Sequence, residues 1–300
     1  MSPETQAPEW AWYFVAMYFF IGGTAAGAYF TGTLAEMFGG ERLRQISRVA
    51  FYITLPLLML TPVLLIADLG RPERFWHLFF YTKDGIPYIN MQSPLSVGSW
   101  ALLVFGVFSL LSFLDNLVAD GYLKTAPFTN LYNRIPRKLY ALAGSAAGFF
   151  VAGYTGVLLN VTARPLWEAT DPLLGALFVA SGGSTGVAAI LLVMAWRKMD
   201  SGETFEQLEA FDRLVMILEL VLIVAAIAVA GRFAAPLLSG IYAFLFWVGV
   251  VALGICVPFG LNWYIQRTRS TGSGLVMLTA ILVLFGGALL RIVLIQAGQV

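Results

Sequence analysis

Eight apolar runs of about 20 residues dominate this sequence and limit what it can fold into. They lie at 12–36, 49–67, 95–118, 139–162, 173–196, 214–235, 240–264 and 274–296. A membrane-spanning helix needs about 20 mainly apolar residues, which each run supplies. Only 12% of the residues are charged, roughly half the share of a soluble globular protein. We therefore predict an all-α integral membrane protein with eight transmembrane helices.

Lys and Arg are distributed unevenly between the two sides of this arrangement. Basic residues concentrate on the cytoplasmic side of membrane proteins. Both termini are therefore expected outside the cytoplasm. The chain is expected in the cytoplasmic (inner) membrane of a bacterium or archaeon. We expect the first run to be kept as a membrane span rather than cleaved as a signal peptide. Twelve of the 18 basic residues lie in or beside the connections after the first, third, fifth and seventh runs: Arg42, Arg44, Arg48, Lys124, Arg134, Arg137, Lys138, Arg197, Lys198, Arg213, Arg267 and Arg269.

Two glycine-rich segments resemble each other, IGGTAAGA at 21–28 and SGGSTGVA at 181–188. Small residues at this spacing let helices approach closely in lipid. The two segments are separated by four helices, so they would belong to a parallel internal repeat. The repeat predicts two four-helix bundles, at residues 1–165 and 166–300.

Several kinds of redox and nucleotide chemistry are excluded by composition. The chain has one His and one Cys, whereas a haem inside the membrane normally takes two axial His and an iron–sulfur cluster takes several Cys. No strand and no glycine-rich phosphate loop are predicted, and no feature indicates binding to nucleic acid. If the protein takes part in redox chemistry, a partner or a diffusible molecule must therefore carry the electrons.

The segment LLIADLGRPERFW at 64–76 places several charges at the extracytoplasmic end of the second run. Charges against the bilayer are costly and commonly functional. Pro72 favours an extended Arg71, and aromatic residues follow at the membrane interface. We interpret the segment as a compact reversal that directs Asp68, Glu73 and Arg74 back toward the helix ends. Solvated charges at the level of the lipid headgroups are the alternative.

Three further acidic residues lie within or beside the apolar runs. Glu36 and Asp115 are at the cytoplasmic ends of their helices, where side chains reach water easily. Glu219 is about seven residues into the sixth run, roughly 10 Å deep. Arg291 lies near the other face and is not expected to pair with it. Glu219 is therefore either protonated and hydrogen-bonded or part of a proton path.

Five motifs together resemble the NrfD/PsrC family, the quinone-reactive membrane subunits of polysulfide reductase and related complex iron–sulfur molybdoenzymes. The most specific motif is the D-L-G-R-P-x-R-F-W pattern, which rarely arises by chance in a membrane protein. The motifs are YFFIGGTAAGAYF, LLIADLGRPERFWHLF, SPLSVGSWALLVFG, AGYTGVLLNVTARPLW and GGALLRIVL.

The resemblance implies a pair of four-helix bundles without haem or an iron–sulfur cluster of their own. It also implies docking to an extracytoplasmic ferredoxin-like iron–sulfur subunit that is attached to a molybdopterin catalytic subunit. A menaquinone or ubiquinone would bind in the N-terminal bundle near the outer face, where this chain would oxidise quinol or reduce quinone. A secondary transporter or proton channel, suggested by the repeat and Glu219, is the alternative.

The resemblance also assigns candidate quinone ligands. Tyr154 matches the quinone-hydrogen-bonding Tyr of the family within YTGVLL. The family pattern has a His where this chain has Tyr18, so the partner of the second quinone carbonyl is left open between Tyr18, Thr24 and His77. Tyr18 and Tyr154 each lie about seven residues from the outer end of a helix, roughly 10 Å deep.

Quinol oxidation releases two protons, so groups that accept protons are expected at the site. Asp68 and Glu73 are the candidates for this role, and His77 is a candidate proton relay near neutral pH. Arg71 and Arg74 would either hold these carboxylates ionised or bind acidic groups of the iron–sulfur partner.

Overall fold

The computed structural model describes residues 12–83, 86–124, 137–162, 164–199, 202–268 and 273–300. Within these ranges, eight helices are long and apolar enough to cross a membrane, as predicted. In chain order the helices are α1 (Trp12–Phe38), α2 (Arg44–Asp68), α3 (Pro94–Ala119), α4 (Arg137–Asn160), the short α5 (Pro165–Ala169), α6 (Leu173–Trp196), α7 (Gly202–Ala230), the short α8 (Ala235–Leu238), α9 (Gly240–Phe244), α10 (Val257–Thr268) and α11 (Ser273–Ala297).

The sixth and seventh spans differ most from simple apolar helices. Helix α7 begins at Gly202, twelve residues before the predicted start at 214, because its first turns are charged and hydropathy does not detect them. The seventh span joins α9 and α10 through a π-helical stretch, Leu245–Cys256. The sixth span continues from α7 through a 3₁₀ turn, Gly231–Ala234, into α8. Only parts of the two spans therefore follow regular α-helical apolar patterning.

The connection between α2 and α3 contains the only strands among the described residues, and the prediction that the chain has none is wrong. Strands β1 (Tyr81–Lys83) and β2 (Ile86–Tyr88) pair antiparallel, with Tyr81 opposite Tyr88. Runs of three residues are too short for the alternation that reveals a strand in sequence. The hairpin lies between the charged segment after α2 and the start of α3.

The charged segment itself forms a short 3₁₀ helix, Pro72–Leu78. Pro72 occupies its first turn, where the missing N–H costs nothing, and Arg71 before it is extended (φ −138°, ψ 82°) as predicted. The indole Nε1 of Trp100 in α3 donates a hydrogen bond to the Phe79 carbonyl at 3.1 Å. This hydrogen bond attaches the segment to the N-terminal part of α3.

Helix α1 packs against α2, α4, α6 and α11. Its contact with α6 is made by the two similar glycine-rich segments, which lie against each other backbone to backbone. A methyl group on Gly182 would lie 2.9 Å from the Gly23 carbonyl oxygen, and one on Gly27 or Gly186 would also overlap the opposite backbone. The prediction that these glycines permit close helix packing is confirmed.

The predicted cytoplasmic ends of α1, α3 and α4 are held by an ion-paired cluster. Arg137 contacts Glu36 at 3.3 Å and Asp115 at 3.0 Å. The Ser47 hydroxyl also donates to Glu36 at 2.9 Å. Glu36 and Asp115 are therefore bound within the protein rather than extended separately into water.

Candidate functional site

A cavity of about 370 Å³ opens where α1 and α2 meet at their predicted extracytoplasmic ends. Its size falls within the range of about 300–1,000 Å³ typical of small-molecule sites. The structure brings two of the predicted site residues, Tyr18 and Asp68, into its lining. The complete lining is Phe14, Val15, Tyr18, Phe19, Leu64, Leu65, Asp68, Leu69, Leu78, Leu95 and Leu158.

Tyr18 and Asp68 are the polar side chains of this otherwise apolar cavity. Tyr18 is six residues after the start of α1, about 9 Å along the helix, and only 5% of it is exposed. Asp68 is the last residue of α2 and is exposed. The phenol can donate one hydrogen bond, and the carboxylate can accept hydrogen bonds or a proton.

Tyr154 lies behind the wall of the cavity rather than in its lining. It is six residues before the end of α4, about 9 Å along the helix axis, which equals the distance of Tyr18 from the start of α1. Its hydroxyl donates a hydrogen bond to the Pro94 carbonyl at 2.5 Å. Leu95, which follows Pro94, and Leu158, one turn beyond Tyr154, do line the cavity.

The other predicted site residues lie elsewhere. Thr24 donates to the Thr185 hydroxyl at 3.1 Å, in the contact between α1 and α6, and it does not line the cavity. His77 stacks on Trp76 with ring centroids 3.7 Å apart. The remaining charged residues and His77 form an exposed surface beyond the end of α2, which we call the charged cap: Arg71, Glu73, Arg74 and His77.

An apolar groove of about 320 Å³ adjoins the cavity and was not predicted. It runs between α2 and α3, and the 3₁₀ helix covers one end of it. Leu65 and Leu78 line both the groove and the cavity. Its other lining residues are Leu55, Leu58, Met59, Pro62, Ile66, Phe75, Phe79, Ser99, Leu102, Leu103, Gly106, Val107 and Leu110. Such a groove depends on how two helices diverge, which apolar patterning along either helix does not reveal.

Arg291 is fully buried and lies near Glu219. The Arg291 guanidinium donates to the Ser181 hydroxyl at 2.5 Å and to the Gly287 carbonyl at 2.9 Å. Glu219 lies near both Ser181 and Arg291. The two side chains nevertheless form no salt bridge, in line with the sequence expectation. They lie near each other because α7 begins at Gly202, which puts Glu219 about 25 Å along α7, close to the position of Arg291 about 27 Å along α11.

The site therefore combines a phenol and a carboxylate at one end of a long apolar surface. Such an arrangement can bind an amphipathic ligand with a small polar head and can exchange protons with it. Among the described residues, no three His, Cys, Asp or Glu side chains come together in a way that could hold a metal ion. The chemistry available to these residues is hydrogen bonding and proton transfer.

Comparisons with known proteins agree on one family. A polysulfide reductase component from Wolinella succinogenes is 31% identical over 97% of this chain and 94% of its own length. Protein NrfD of Escherichia coli is 27% identical over 97% of this chain and 95% of its own length. A selenate reductase component from Mesobacillus selenatarsenatis is 24% identical over 98% of this chain and 75% of its own length. The family model described as "Polysulphide reductase, NrfD" matches residues 3–300, and the chain belongs to that family.

Proposed function

We propose that this chain is the membrane anchor and quinone-binding subunit of a molybdopterin oxidoreductase. It exchanges electrons between a menaquinone or ubiquinone pool and an extracytoplasmic iron–sulfur subunit. The relatives from Wolinella succinogenes and Mesobacillus selenatarsenatis are, by their names, parts of a polysulfide reductase and a selenate reductase. The observation that carries the proposal is the shared cavity of Tyr18 and Asp68, which adjoins an apolar groove.

The two compartments match the two parts of a membrane quinone. The quinone ring has two carbonyl oxygens and requires hydrogen-bond donors, which the mostly apolar cavity supplies sparingly through Tyr18. The isoprenoid tail is purely apolar, and the groove between α2 and α3 is lined by apolar residues apart from Ser99. Because the cavity and groove share Leu65 and Leu78, one molecule can place its ring in the first and its tail in the second.

Tyr18, Asp68 and Tyr154 have distinct proposed tasks at the ring. The Tyr18 hydroxyl donates to one quinone oxygen, and Asp68 accepts a proton when quinol is oxidised. The Tyr154 proton is engaged by the Pro94 carbonyl, so the Tyr154 oxygen is left as an acceptor. Tyr154 lies behind the cavity wall, so a quinol hydroxyl reaches this oxygen when the ring displaces Leu95 or Leu158, which line the cavity beside it. Thr24 is assigned no contact with the ring, because its hydroxyl lies at the α1–α6 contact.

The charged cap is proposed to act at the protein surface. Its four residues are exposed beyond the cavity. Arg71 and Arg74 would bind acidic groups of the iron–sulfur partner, because charge-assisted hydrogen bonds to carboxylates are the strong contacts available to Arg. Glu73 and His77 would pass protons from Asp68 to water, as groups that can both take up and release them.

The proposal is tested by following reduction of the partner's iron–sulfur clusters in the purified complex, by electron paramagnetic resonance after adding a menaquinol analogue. Tyr18→Phe and Asp68→Asn are expected to slow this reduction at least tenfold. Tyr13→Phe is the matched control for the phenol, because Tyr13 does not line the cavity. Asp120→Asn controls for the carboxylate, because Asp120 pairs with Arg48 at the opposite end of α3.

Unchanged cluster reduction in both site variants would overturn the assignment of the cavity. Purification of the protein without an iron–sulfur partner and without bound quinone would count against the whole redox proposal. That second outcome would favour a transporter or proton channel instead.

A further inference from the structure

A cavity of about 640 Å³ opens at the end of α2 opposite to the proposed quinone site. Its walls are the first turns of α2, the end of α3 with the turn that follows it, and the end of α6. These three helix ends lie on the predicted cytoplasmic side, away from the cavity assigned to the quinone ring. The cavity therefore has no part in the proposed quinone chemistry.

The charged and the apolar residues of this cavity lie at different depths. Arg48 is four residues into α2, about 6 Å from its start, and Arg197 directly follows α6. Ile53 is nine residues into α2, about 14 Å from its start, and Val193 lies three residues before the end of α6. Both arginines are exposed, whereas Ile53 and Val193 are partly buried. The cavity therefore has a basic mouth at the helix ends and an apolar floor within the spans.

Two helix ends build the walls of the mouth in the same way. Helices α3 and α6 both end in a Schellman turn, in which two backbone N–H groups beyond the helix donate to carbonyls near its end. The residue with positive φ in each turn is Gly121 (76°) or Lys198 (51°). The residue after it, Tyr122 or Met199, lines the cavity. Backbone hydrogen bonds therefore fix both walls, and the mouth is preformed.

The Arg48 side chain is held in a defined position on the wall formed by α2. Its Nε donates to the Asp120 carboxylate at 2.9 Å, and its Nη2 lies 2.7 Å from the same carboxylate. The Tyr52 hydroxyl also donates to Asp120, at 2.5 Å, and the Tyr52 ring packs edge to face on Phe113. Asp120 is thereby neutralised, and the N–H groups of Arg48 Nη1 are left for another anion.

Positive charge exceeds negative charge around the mouth. Across the cavity from Arg48, the Arg197 guanidinium makes no hydrogen bond or ion pair with the residues that the structure describes. A smaller cavity of about 280 Å³ shares Arg48 and Asp120 with the mouth and adds Arg44 and Arg137 to its lining. Arg137 is engaged by the ion-paired cluster at the ends of α1 and α3. The other arginines still outnumber Asp120, so the mouth attracts anions.

Exposed aromatic side chains flank the mouth at the level of the arginines. Trp196 is 69% exposed and Tyr122 76%, and both line the cavity. Trp and Tyr favour the headgroup level of a bilayer, and basic pockets between membrane helices on the cytoplasmic side bind anionic lipid headgroups. A phospholipid carries its phosphate and its acyl chains in the same order as the basic mouth and the apolar floor. A free phosphate ion would match the mouth alone.

We propose that this cavity binds an anionic phospholipid, with the phosphate between Arg48 and Arg197 and one acyl chain extending toward Ile53 and Val193. The phosphate accepts charge-assisted hydrogen bonds from both arginines. A net negative headgroup offsets the excess positive charge, whereas the ammonium group of a zwitterionic lipid would restore it. The bound lipid joins the ends of α2, α3 and α6. The proposal does not depend on the quinone site.

Native mass spectrometry of the complete purified complex tests this site. The delipidated complex is titrated in detergent with dioleoyl phosphatidylglycerol or dioleoyl phosphatidylethanolamine, which share their acyl chains and differ in net charge. The unmodified complex is expected to bind the first lipid at least tenfold more tightly. Arg197→Gln is expected to weaken this binding about fivefold or more, and Arg197→Lys, which keeps the charge, by less than about twofold.

Arg267→Gln is the matched control. Arg267 is likewise exposed at a predicted cytoplasmic helix end and lies over the ring of Trp263 at 5.2 Å, but it does not line the cavity. Binding of phosphatidylglycerol is expected to be unchanged in this variant. Thermal denaturation in detergent without lipid shows whether each variant is folded, and equal midpoints are expected because both arginines are exposed.

Equal affinity of the unmodified complex for the two lipids would overturn the site. Equal losses in Arg197→Gln and Arg267→Gln, or in Arg197→Gln and Arg197→Lys, would contradict recognition by the charge of Arg197. An excess of inorganic phosphate is expected to leave the lipid bound, and displacement of the lipid would indicate a site for free anions instead. Failure of the quinone site would be seen separately, since cluster reduction by quinol is expected to be unchanged in Arg197→Gln.

Discussion

Gly27 of α1 lies in backbone contact with Gly182 of α6, so close that a methyl group on Gly27 would overlap the Gly182 carbonyl. Lipid gives helices no hydrophobic reason to associate, so close packing of small residues has to supply the attraction. The first and fifth spans are joined here across the two halves of the sequence. The cavity on α1 and the Ser181–Arg291 hydrogen bond on α6 both depend on this contact for their relative position.

Gly182→Val is expected to destabilise the protein strongly. The added side chain would force α1 and α6 apart, and overpacking of a close contact costs about 1–3 kcal/mol or more. Thermal denaturation in detergent should show a lower midpoint for this variant. Gly260→Val is the control, because no atom lies within 4 Å of a methyl group at Gly260; equal losses in both variants would contradict the assigned contact.

Arg137→Met is expected to cost about 3 kcal/mol, the lower end of the range for removing one partner from a buried ion pair. The variant leaves Glu36 and Asp115 without their shared cation, and the Asp115 side chain is only 5% exposed. Arg48→Met is the matched control: the Arg48 side chain is 50% exposed in its pair with Asp120, so its loss should cost at most about 1 kcal/mol. Chemical denaturation of both variants measures the difference, and a reversed order would refute this account of the cluster.

Trp100→Phe is expected to raise the KM for quinol roughly two- to tenfold with little change in kcat. The variant keeps an aromatic ring but removes the hydrogen bond to Phe79, worth about 0.5–1.5 kcal/mol, that holds the roof of the groove. Trp247→Phe removes an equivalent hydrogen bond to Leu237 at 3.0 Å far from the groove. Steady-state kinetics should show an unchanged KM for quinol in Trp247→Phe. A KM increase of equal size in that control would indicate a general loosening of the protein rather than an effect at the groove.

Tyr154→Phe is expected to lower quinol oxidation at saturating quinol at least threefold, because it removes the proposed acceptor oxygen. It also releases the Pro94 carbonyl, so thermal stability should fall modestly, by about 1 kcal/mol of unfolding free energy. Turnover and thermal denaturation are measured on the same preparation. Normal turnover with reduced stability would limit Tyr154 to holding the start of α3 and leave Tyr18 and Asp68 as the proposed ligands.

The meeting of Tyr18 and Asp68 was predictable because helix geometry is regular. A fixed rise per residue sets the depth of Tyr18, and the end of the apolar run sets the end of α2 at Asp68. The same regular geometry argues against Thr24 as a residue of the cavity, although its depth along α1 alone does not exclude it. Thr24 is six residues from Tyr18, a rotation of about 240° beyond a full turn, which points it toward α6 instead of the cavity.

The buried carboxylates of α7 were harder to predict. Glu209 and Asp212 precede the apolar run and resemble an ordinary charged connection, so only their helical spacing with Glu219 signals a common face. The contact of Arg291 with Ser181 requires the direction and reach of a long side chain as well as the residue's depth. The groove beside α2 depends on the separation of two helices and on the 3₁₀ segment above it, neither of which a local pattern encodes.

The central claim, that the cavity of Tyr18 and Asp68 holds the quinone ring, is tested most directly by photolabelling. The intact complex is irradiated with a quinone that carries an azide on its ring, and the labelled peptides are identified by mass spectrometry. Label is expected on α1 and on the end of α2, and an excess of menaquinone should prevent it. Label confined to residues 166–300, or label that excess menaquinone does not reduce, would contradict the claim.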